Sequence, residues 1–295
     1  LTQEEIAQRT GISRSRVQRL LEVAKREGVV EIRLVNPYPS FSEVEVELEK
    51  RFGLQKAIVV YTSFRSDDLT RRSIGRAAAR YLESATRGNE ILGIGWGRTV
   101  YETLNYVNRR MPLTVVPLIG AVGQISPRFQ VNEFASRFAE KIGATFVPLY
   151  APALVDSGKI AQTLRQDQSI ARVMKLWETL GVALIGMGDP RRKEAFVPQF
   201  FYNDPVSSAI LKSEEVVGDV LYHFLKRDGS LCDSLFDRRI IGITLEQLRK
   251  VPLVIGVTDA SWKKDILHAV LEGQYLDVLV TDLETAQMLL GEEKT

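Results

Sequence analysis

The 295-residue sequence is poor in the residues that build covalent or metal-held frameworks. Its single cysteine, Cys232, excludes an internal disulfide and a cysteine-based zinc cage, and fits a reducing, cytoplasmic setting. With two histidines, His223 and His268, a histidine-rich metal site is not expected either, and no cofactor is. No apolar run approaches the roughly 20 residues that span a bilayer, so no membrane association is expected. The opening "LTQEEIAQRT" carries acids and no apolar stretch, so no signal peptide is expected. An excess of charge is missing too. Lys and Arg number 39 against 37 Asp and Glu, a net +2, so any nucleic-acid surface has to be local. Internal repeats and low-complexity segments are absent. What is there, 45% hydrophobic and 26% charged residues, suits one large globular domain and a small one.

Positive charge does concentrate near the start. In residues 1–36, Thr2 and Glu5 have capping-box spacing, and a first helix is predicted to about Arg9. Gly11 suits a turn with positive φ, Ser13 can cap a second helix, Gly28 can end it, and "VVEIRLV" reads as a strand. Val17, Leu20, Leu21 and Ala24 are spaced as a buried stripe. Ser15, Arg19, Glu22 and Arg26 point the other way, flanked by Arg16 and Gln18. Between Ser13 and Arg26 there are five basic residues and one acid, Glu22. A surface helix pair with solvated arginines would look similar. Ala7, Gly11 and Val17, however, sit where a helix-turn-helix needs a small crossing residue, a turn and an anchor. Arg reads guanine and Gln reads adenine in the major groove, so Arg19 and Gln18, with Ser15 beside them, are the expected base readers. Arg14, Arg16 and Arg26 are assigned to phosphates of double-stranded DNA, with Ser13 at the helix start. One such unit covers a small half-site, so a homo-oligomer on a two-fold operator is expected.

"NPYP" at 36–39 is a breaker, after which Ser42 can cap a short helix with Val44, Leu48 and Phe52 four apart. That helix reads equally as a packing helix or an oligomer contact. The expected division is therefore a DNA-binding domain at 1–36, a linker at 37–53 and an effector domain at 54–295.

From Ala57 onward, apolar runs alternate with amphipathic helices: "AIVVY" (57–61), "ILGIG" (91–95), "TVVPLIG" (114–120), "ATFVPLY" (144–150), "VALIGMG" (182–188), "PLVIGVT" (252–258) and "DVLVTD" (277–282). Runs apolar throughout belong to strands buried on both faces, and the alternation implies a mostly parallel, doubly wound α/β domain. Ligands of such sheets sit at the carboxyl ends of strands, where Gly95, Gly120, Gly188–Asp189, Thr258–Asp259 and Thr281–Asp282 fall. Turns favour Gly and Asp for their own reasons, so the signal lies in the group.

"GIGWGRT" joins a strand to a helix through Gly95, Trp96, Gly97, Arg98 and Thr99. Its glycines let backbone N–H groups approach an anion, the helix start adds a positive end, and Thr99 and Arg98 can donate. It lacks the GK[ST] of a Walker loop and only half matches the dinucleotide pattern, because Arg98 stands where Gly or Ala is needed. A tight turn without ligand is the plainer alternative.

The segments "SRSRVQRLLEVAKREGVVEIRL", "GIGWGRT", "PLIGAVG", "VNEFASRFAEKIGATFVPLYAPA", "ALIGMGD", "VVGDVLYHFLKRDG" and "IGITLEQLRKVPLVIGVTDASWKKDILHAVLEGQYLDVLVTDLETAQMLL" follow one another over nearly the whole chain as in SorC-family sugar-binding transcriptional regulators. The resemblance implies a helix-turn-helix domain and an effector domain similar to sugar-phosphate isomerases. It also implies a sugar, polyol or sugar-phosphate effector, and tetramers that control sugar catabolic operons. By the resemblance, Gly95, Gly97, Arg98 and Thr99 would hold a phosphate, Gln124 and Asn132 would line the sugar with Asp189 and Asp219 nearby, and Lys263 matches a lysine after a Gly-Gly pair. Members typically carry Ala-Gly-Gly where this chain has Thr258-Asp259-Ala260. A carboxylate replaces flexible backbone there, which leaves open an unphosphorylated sugar or polyol with Asp259 accepting from its hydroxyls.

Three functions are thus in view. The first is a ligand-controlled DNA-binding regulator with no catalytic residues. The second is a sugar-phosphate isomerase, for which Asp189, Asp259 and Lys263 are the candidate proton-transfer groups. The third is a DNA-binding oligomer without a ligand.

Overall fold

The computed structural model describes residues 2–26, 41–61, 67–123, 129–191, 205–259 and 261–291. Two compact units divide the chain, Leu1–Ser40 and Phe41–Thr295.

In the first unit, α1 (Gln3–Thr10) and α2 (Arg14–Arg26) are joined by a short turn. Thr2 Oγ1 accepts from the Glu5 amide, and the Glu5 carboxylate accepts from the Thr2 amide, closing the predicted capping box. Gly11 takes the left-handed conformation, φ +67°, that the turn requires. The Ser13 carbonyl accepts from the amides of Arg16 and Val17, starting α2. Val17 is buried, yet Leu20 is 53% exposed, so the predicted stripe is corrected. The eight-residue α1 is too short to cover α2 beyond its first turns. Gly28, the strand predicted at 29–35 and the breaker at 36–39 lie outside the described residues.

The second unit opens with α3 (Phe41–Phe52), which packs by Leu48, Val44 and Phe52 on the core of the unit. Ser42 falls inside this helix instead of capping it. Phe41 already belongs to the helix and packs on the core and against Tyr61.

The apolar runs form β1 (Lys56–Val60), β2 (Ile91–Ile94), β3 (Thr114–Pro117), β4 (Thr145–Phe146), β5 (Val182–Gly186), β8 (Val254–Val257) and β9 (Val278–Asp282), while β6 (Val216–Val220) and β7 (His223–Lys226) make a separate antiparallel hairpin. The seven-stranded sheet has the order β1-β9-β8-β5-β2-β3-β4 and is parallel throughout. Helices cover it, among them α4 (Asp67–Ala85), α5 (Arg98–Tyr106), α6 (Val131–Ile142), α7 (Gly158–Gln166) and α8 (Gln168–Trp177). On α8, Ile170, Val173 and Trp177 are buried, and the Trp177 indole donates to the Pro117 carbonyl at 2.9 Å. The seven-residue run at 144–150 gives only two strand residues. β4 is an edge strand, and its ladder ends where the Leu149 amide turns to Asn132 and the Pro117 carbonyl of β3 accepts from Trp177.

The sheet's other edge, β1, is closed by α3. Glu45 accepts from the Val59 amide at 2.8 Å, and Glu49 from the Ala57 amide at 3.0 Å and Lys56 Nζ at 2.9 Å. These carboxylates take backbone donors that an open edge would offer to another strand.

The chain moves outward through β2, β3 and β4, then returns to the opposite side of β2 to begin β5. The carboxyl ends of β2 and β5 therefore flank the point where strand order reverses, the crevice in which such sheets place ligands.

Candidate functional site

A pocket opens at that crevice. Trp96 to Thr99, after β2, form one wall, and Gly186 to Gly188, at the end of β5, form another. Asp259, Trp262 and Lys263, after β8, and Asp219, Leu221 and Tyr222, from the hairpin, complete it. Gly97 caps α5 with φ +138°, a conformation that L side chains rarely adopt. Trp96 and Tyr222 meet edge to face, their ring centroids 5.5 Å apart.

The centre of the pocket's charge is Asp259, 4% exposed. One carboxylate oxygen accepts from Arg71 Nε at 2.9 Å and lies 2.8 Å from Arg71 Nη2. The other accepts from Thr99 Oγ1 at 3.0 Å and Lys263 Nζ at 2.9 Å. Burial alone would raise this carboxyl's pKa. Lys263 and Arg71, with hydrogen bonds from Lys263 and Thr99, outweigh that and hold it far below the usual carboxylate range. Arg71 also donates to Asp68 at 2.6 Å, and Lys263 lies 5.1 Å from the centroid of the Trp262 ring.

Asp219 is the opposite case. Burial pushes its carboxyl up to about 7, only partly offset by the Tyr222 amide it accepts from at 3.1 Å, and Asp189 nearby adds to the rise. The turn that carries it has positive φ at Leu221, +52°, and Tyr222, +70°. Non-glycine residues rarely sit there, and two in succession indicate a backbone held by its surroundings. Near neutral pH, Asp219 can both donate and accept, a pairing suited to sugar hydroxyls.

Of the predicted effector residues, Trp96, Gly97, Arg98, Thr99, Asp219, Asp259 and Lys263 come together in this pocket. Gly95 lies just beneath, where a Cβ would meet Leu221 at 3.0 Å and the Leu184 carbonyl at 3.2 Å. Asp189 is turned to Arg191, with contacts of 2.7 and 2.8 Å. Asn132 stands apart from the lining. Its amide donates to the Leu149 carbonyl and accepts from the Leu149 amide, fixing α6 to the chain after β4. Gln124 lies outside the described residues. Asp259 as acceptor for a ligand's hydroxyls is corrected: both its oxygens are already engaged by the protein.

Arg71 escaped sequence reasoning, although its signal was there. It shares a stripe with Ile74, Gly75, Ala78, Ala79 and Leu82, so an arginine falls on the buried face of α4. Leu221 and Tyr222 had no such signal, because their turn has no glycine or asparagine to mark it. Among the described residues, no group of three or more His, Cys, Asp or Glu is placed to hold a metal ion.

On the first unit, Ser13, Arg14, Ser15, Arg16, Gln18 and Arg19 are all exposed. Arg14 is 3.5 Å from Glu4 of α1. Arg26 is the last residue of α2, and its side chain lies outside the described part.

Residues 36–291 match the sugar-binding domain family "Sugar-bind". The chain is 29% identical over 293 residues to the deoxyribonucleoside regulator of Bacillus subtilis (strain 168), covering 99% of this chain and 93% of that one. It is also 29% identical over 294 residues to the sorbitol operon regulator of Klebsiella pneumoniae, covering 98% and 93%. The crystal structure of the full-length sorbitol operon regulator SorC from Klebsiella pneumoniae superposes with a TM-score of 0.79 at 28% identity, covering 98% of this chain and 94% of that one. A DeoR family transcriptional regulator from Listeria monocytogenes gives 0.77 at 28% identity, covering 85% and 100%. With the family matched over most of its length and full-length regulators alike in sequence and fold, the chain belongs to the SorC family of sugar-binding transcriptional regulators.

Proposed function

We propose that this regulator binds operator DNA through a helix-turn-helix in residues 1–36, and that a sugar, polyol or sugar phosphate in the switch-point pocket controls that binding. The observation that carries the reading is the pocket itself. It sets the side chains of Trp96 and Tyr222, which meet edge to face, beside the polar groups of Asp219, Thr99 and Lys263, at the place where parallel sheets hold ligands. The names of the relatives, a deoxyribonucleoside regulator and a sorbitol operon regulator, support a carbohydrate effector and a catabolic operon as target.

In this reading Arg19, Gln18 and Ser15 meet base edges, and Arg14, Arg16 and Arg26 meet phosphates. All but Arg26, whose side chain is not described, are exposed in the structure. The protein acts in the cytoplasm as a homo-oligomer, because one recognition helix covers only a half-site, and the resemblance to the family makes that oligomer a tetramer. The effector binds one arrangement of that oligomer better and shifts its population, with residues 37–53 carrying the coupling. The isomerase reading is disfavoured by the relatives, which are regulators, and by its three candidate proton-transfer groups: Asp259 and Lys263 hold each other, and Asp189 is held by Arg191.

The test separates the two units. Fragments selected from genomic DNA supply the operator, and a thermal-shift panel of sugars and polyols, with and without phosphate, supplies the effector. Arg19→Ala weakens operator binding by about 5- to 150-fold, the value of a lost base contact of roughly 1–3 kcal/mol, and leaves the effector-induced melting shift intact. Equal loss of both would sink the division of labour.

A further inference from the structure

Where Asp259 lines the pocket, the anion that the surrounding buried cations attract is already present, and it belongs to the protein. Arg71 and Lys263 are each less than a tenth exposed, and both are directed at Asp259. Thr99, in the first turn of α5, gives its hydroxyl to the same carboxylate. A carboxylate gripped by a guanidinium, an ammonium and a hydroxyl at a helix start has the surroundings of a bound phosphate or carboxylate ligand. The charges close locally: Arg71 and Lys263 face Asp259 and Asp68.

Resting on the effector reading above, we infer that Asp259 fills an anion subsite from within, so that the effector of this protein is an uncharged sugar or polyol. A phosphate monoester entering the pocket would meet Asp259 with its two strongest buried cations already taken. It would also approach Asp219, a carboxyl that burial already disfavours ionising. Arg98, half-buried at the pocket wall, has contacts of its own. A neutral polyhydroxy ligand meets none of this repulsion. It can lie against Trp96 and Tyr222 and exchange hydrogen bonds with Asp219, leaving the Asp259 cluster intact.

The inference predicts that removing the carboxylate empties a working anion site. Inorganic phosphate, titrated against chloride of equal ionic strength, is the probe, and melting temperature is the readout. The full-length wild-type protein sets the background from any phosphate held elsewhere, including the basic helix. Asp259→Ala, and Asp259→Ser as the milder variant, are expected to gain at least about tenfold in phosphate affinity over wild type, seen as a phosphate-dependent recovery of their melting temperature. If the variants respond to phosphate no more than wild type, Asp259 does not stand in for an anion and the inference falls. It falls equally if wild type itself is stabilised by a phosphorylated sugar and not by the unphosphorylated parent. That last result would leave the sugar-sensing reading standing. A panel in which no carbohydrate of either kind stabilises wild type would remove that reading, while the phosphate titration still decides on Asp259.

Discussion

Asp219 and Asp259 face the same pocket with opposite electrostatics, and the difference is one of partners. Asp259 has two cations and a hydroxyl at hydrogen-bonding distance, whereas Asp219 is dominated by burial, with one backbone amide to accept from, Asp189 adding to the rise, and His223 and Lys263 opposing it from further away. The consequence for stability has a definite sign. The Asp219 value in the folded chain, about 7, lies above its ordinary 3.8. Between those values the unfolded chain has lost a proton that the folded chain keeps, so stability falls as pH rises from about 4 to about 7 and then levels off. Asp219→Asn keeps an oxygen to accept from Tyr222 and removes the titration. Urea unfolding across pH should show this variant matching wild type below pH 4 and exceeding it above pH 7, by up to roughly 4 kcal/mol. A difference constant with pH would contradict this assignment.

At the level of elements, the sheet depends on α3 to finish an edge. Glu49 accepts from the buried Ala57 amide and from Lys56. The Ala57 amide and then Lys56 hold its carboxyl below the ordinary 4.5, burial opposing them. A depressed carboxyl stabilises the fold above its unfolded value, and that support is lost as pH falls through the folded value. Glu49→Ala therefore should cost about 1–2 kcal/mol at pH 7, the penalty of a donor left unsatisfied, and progressively less in acid. Equal cost at pH 7 and pH 3, measured by urea unfolding at one protein concentration, would place the effect elsewhere. Elements of this kind were legible to different degrees. The parallel strands could be read because burial on both faces makes their apolar runs continuous, as in "VALIGMG". The β6–β7 hairpin could not, since "VVGDVLYHFLK" carries no turn signal at Leu221 and Tyr222. The α2 stripe was legible only in part. Periodicity shows which residues share a face, but the length of the covering helix decides how much of that face is buried, and Leu20 is left out.

For the molecule as a whole, the candidate site follows from topology more than from any motif. "GIGWGRT" supplies one wall, and the crossing from β4 back to β5 beside β2 brings the other walls to it. Residues at strand ends were therefore visible in the sequence as a group. Partners from further away, such as Arg71 on α4, show themselves only once the helix is docked. Asn132 illustrates the converse: a polar residue in a matching segment that serves a backbone joint and not the pocket. In the function proposed here, pocket and recognition helix communicate. Operator affinity decides this, read by fluorescence anisotropy at fixed salt, without and with a saturating carbohydrate already shown to raise the melting temperature. Communication of this kind changes the affinity by about 5- to 150-fold, the range of a coupling free energy of roughly 1–3 kcal/mol, in one direction or the other. An unchanged operator affinity with the pocket demonstrably occupied would contradict it.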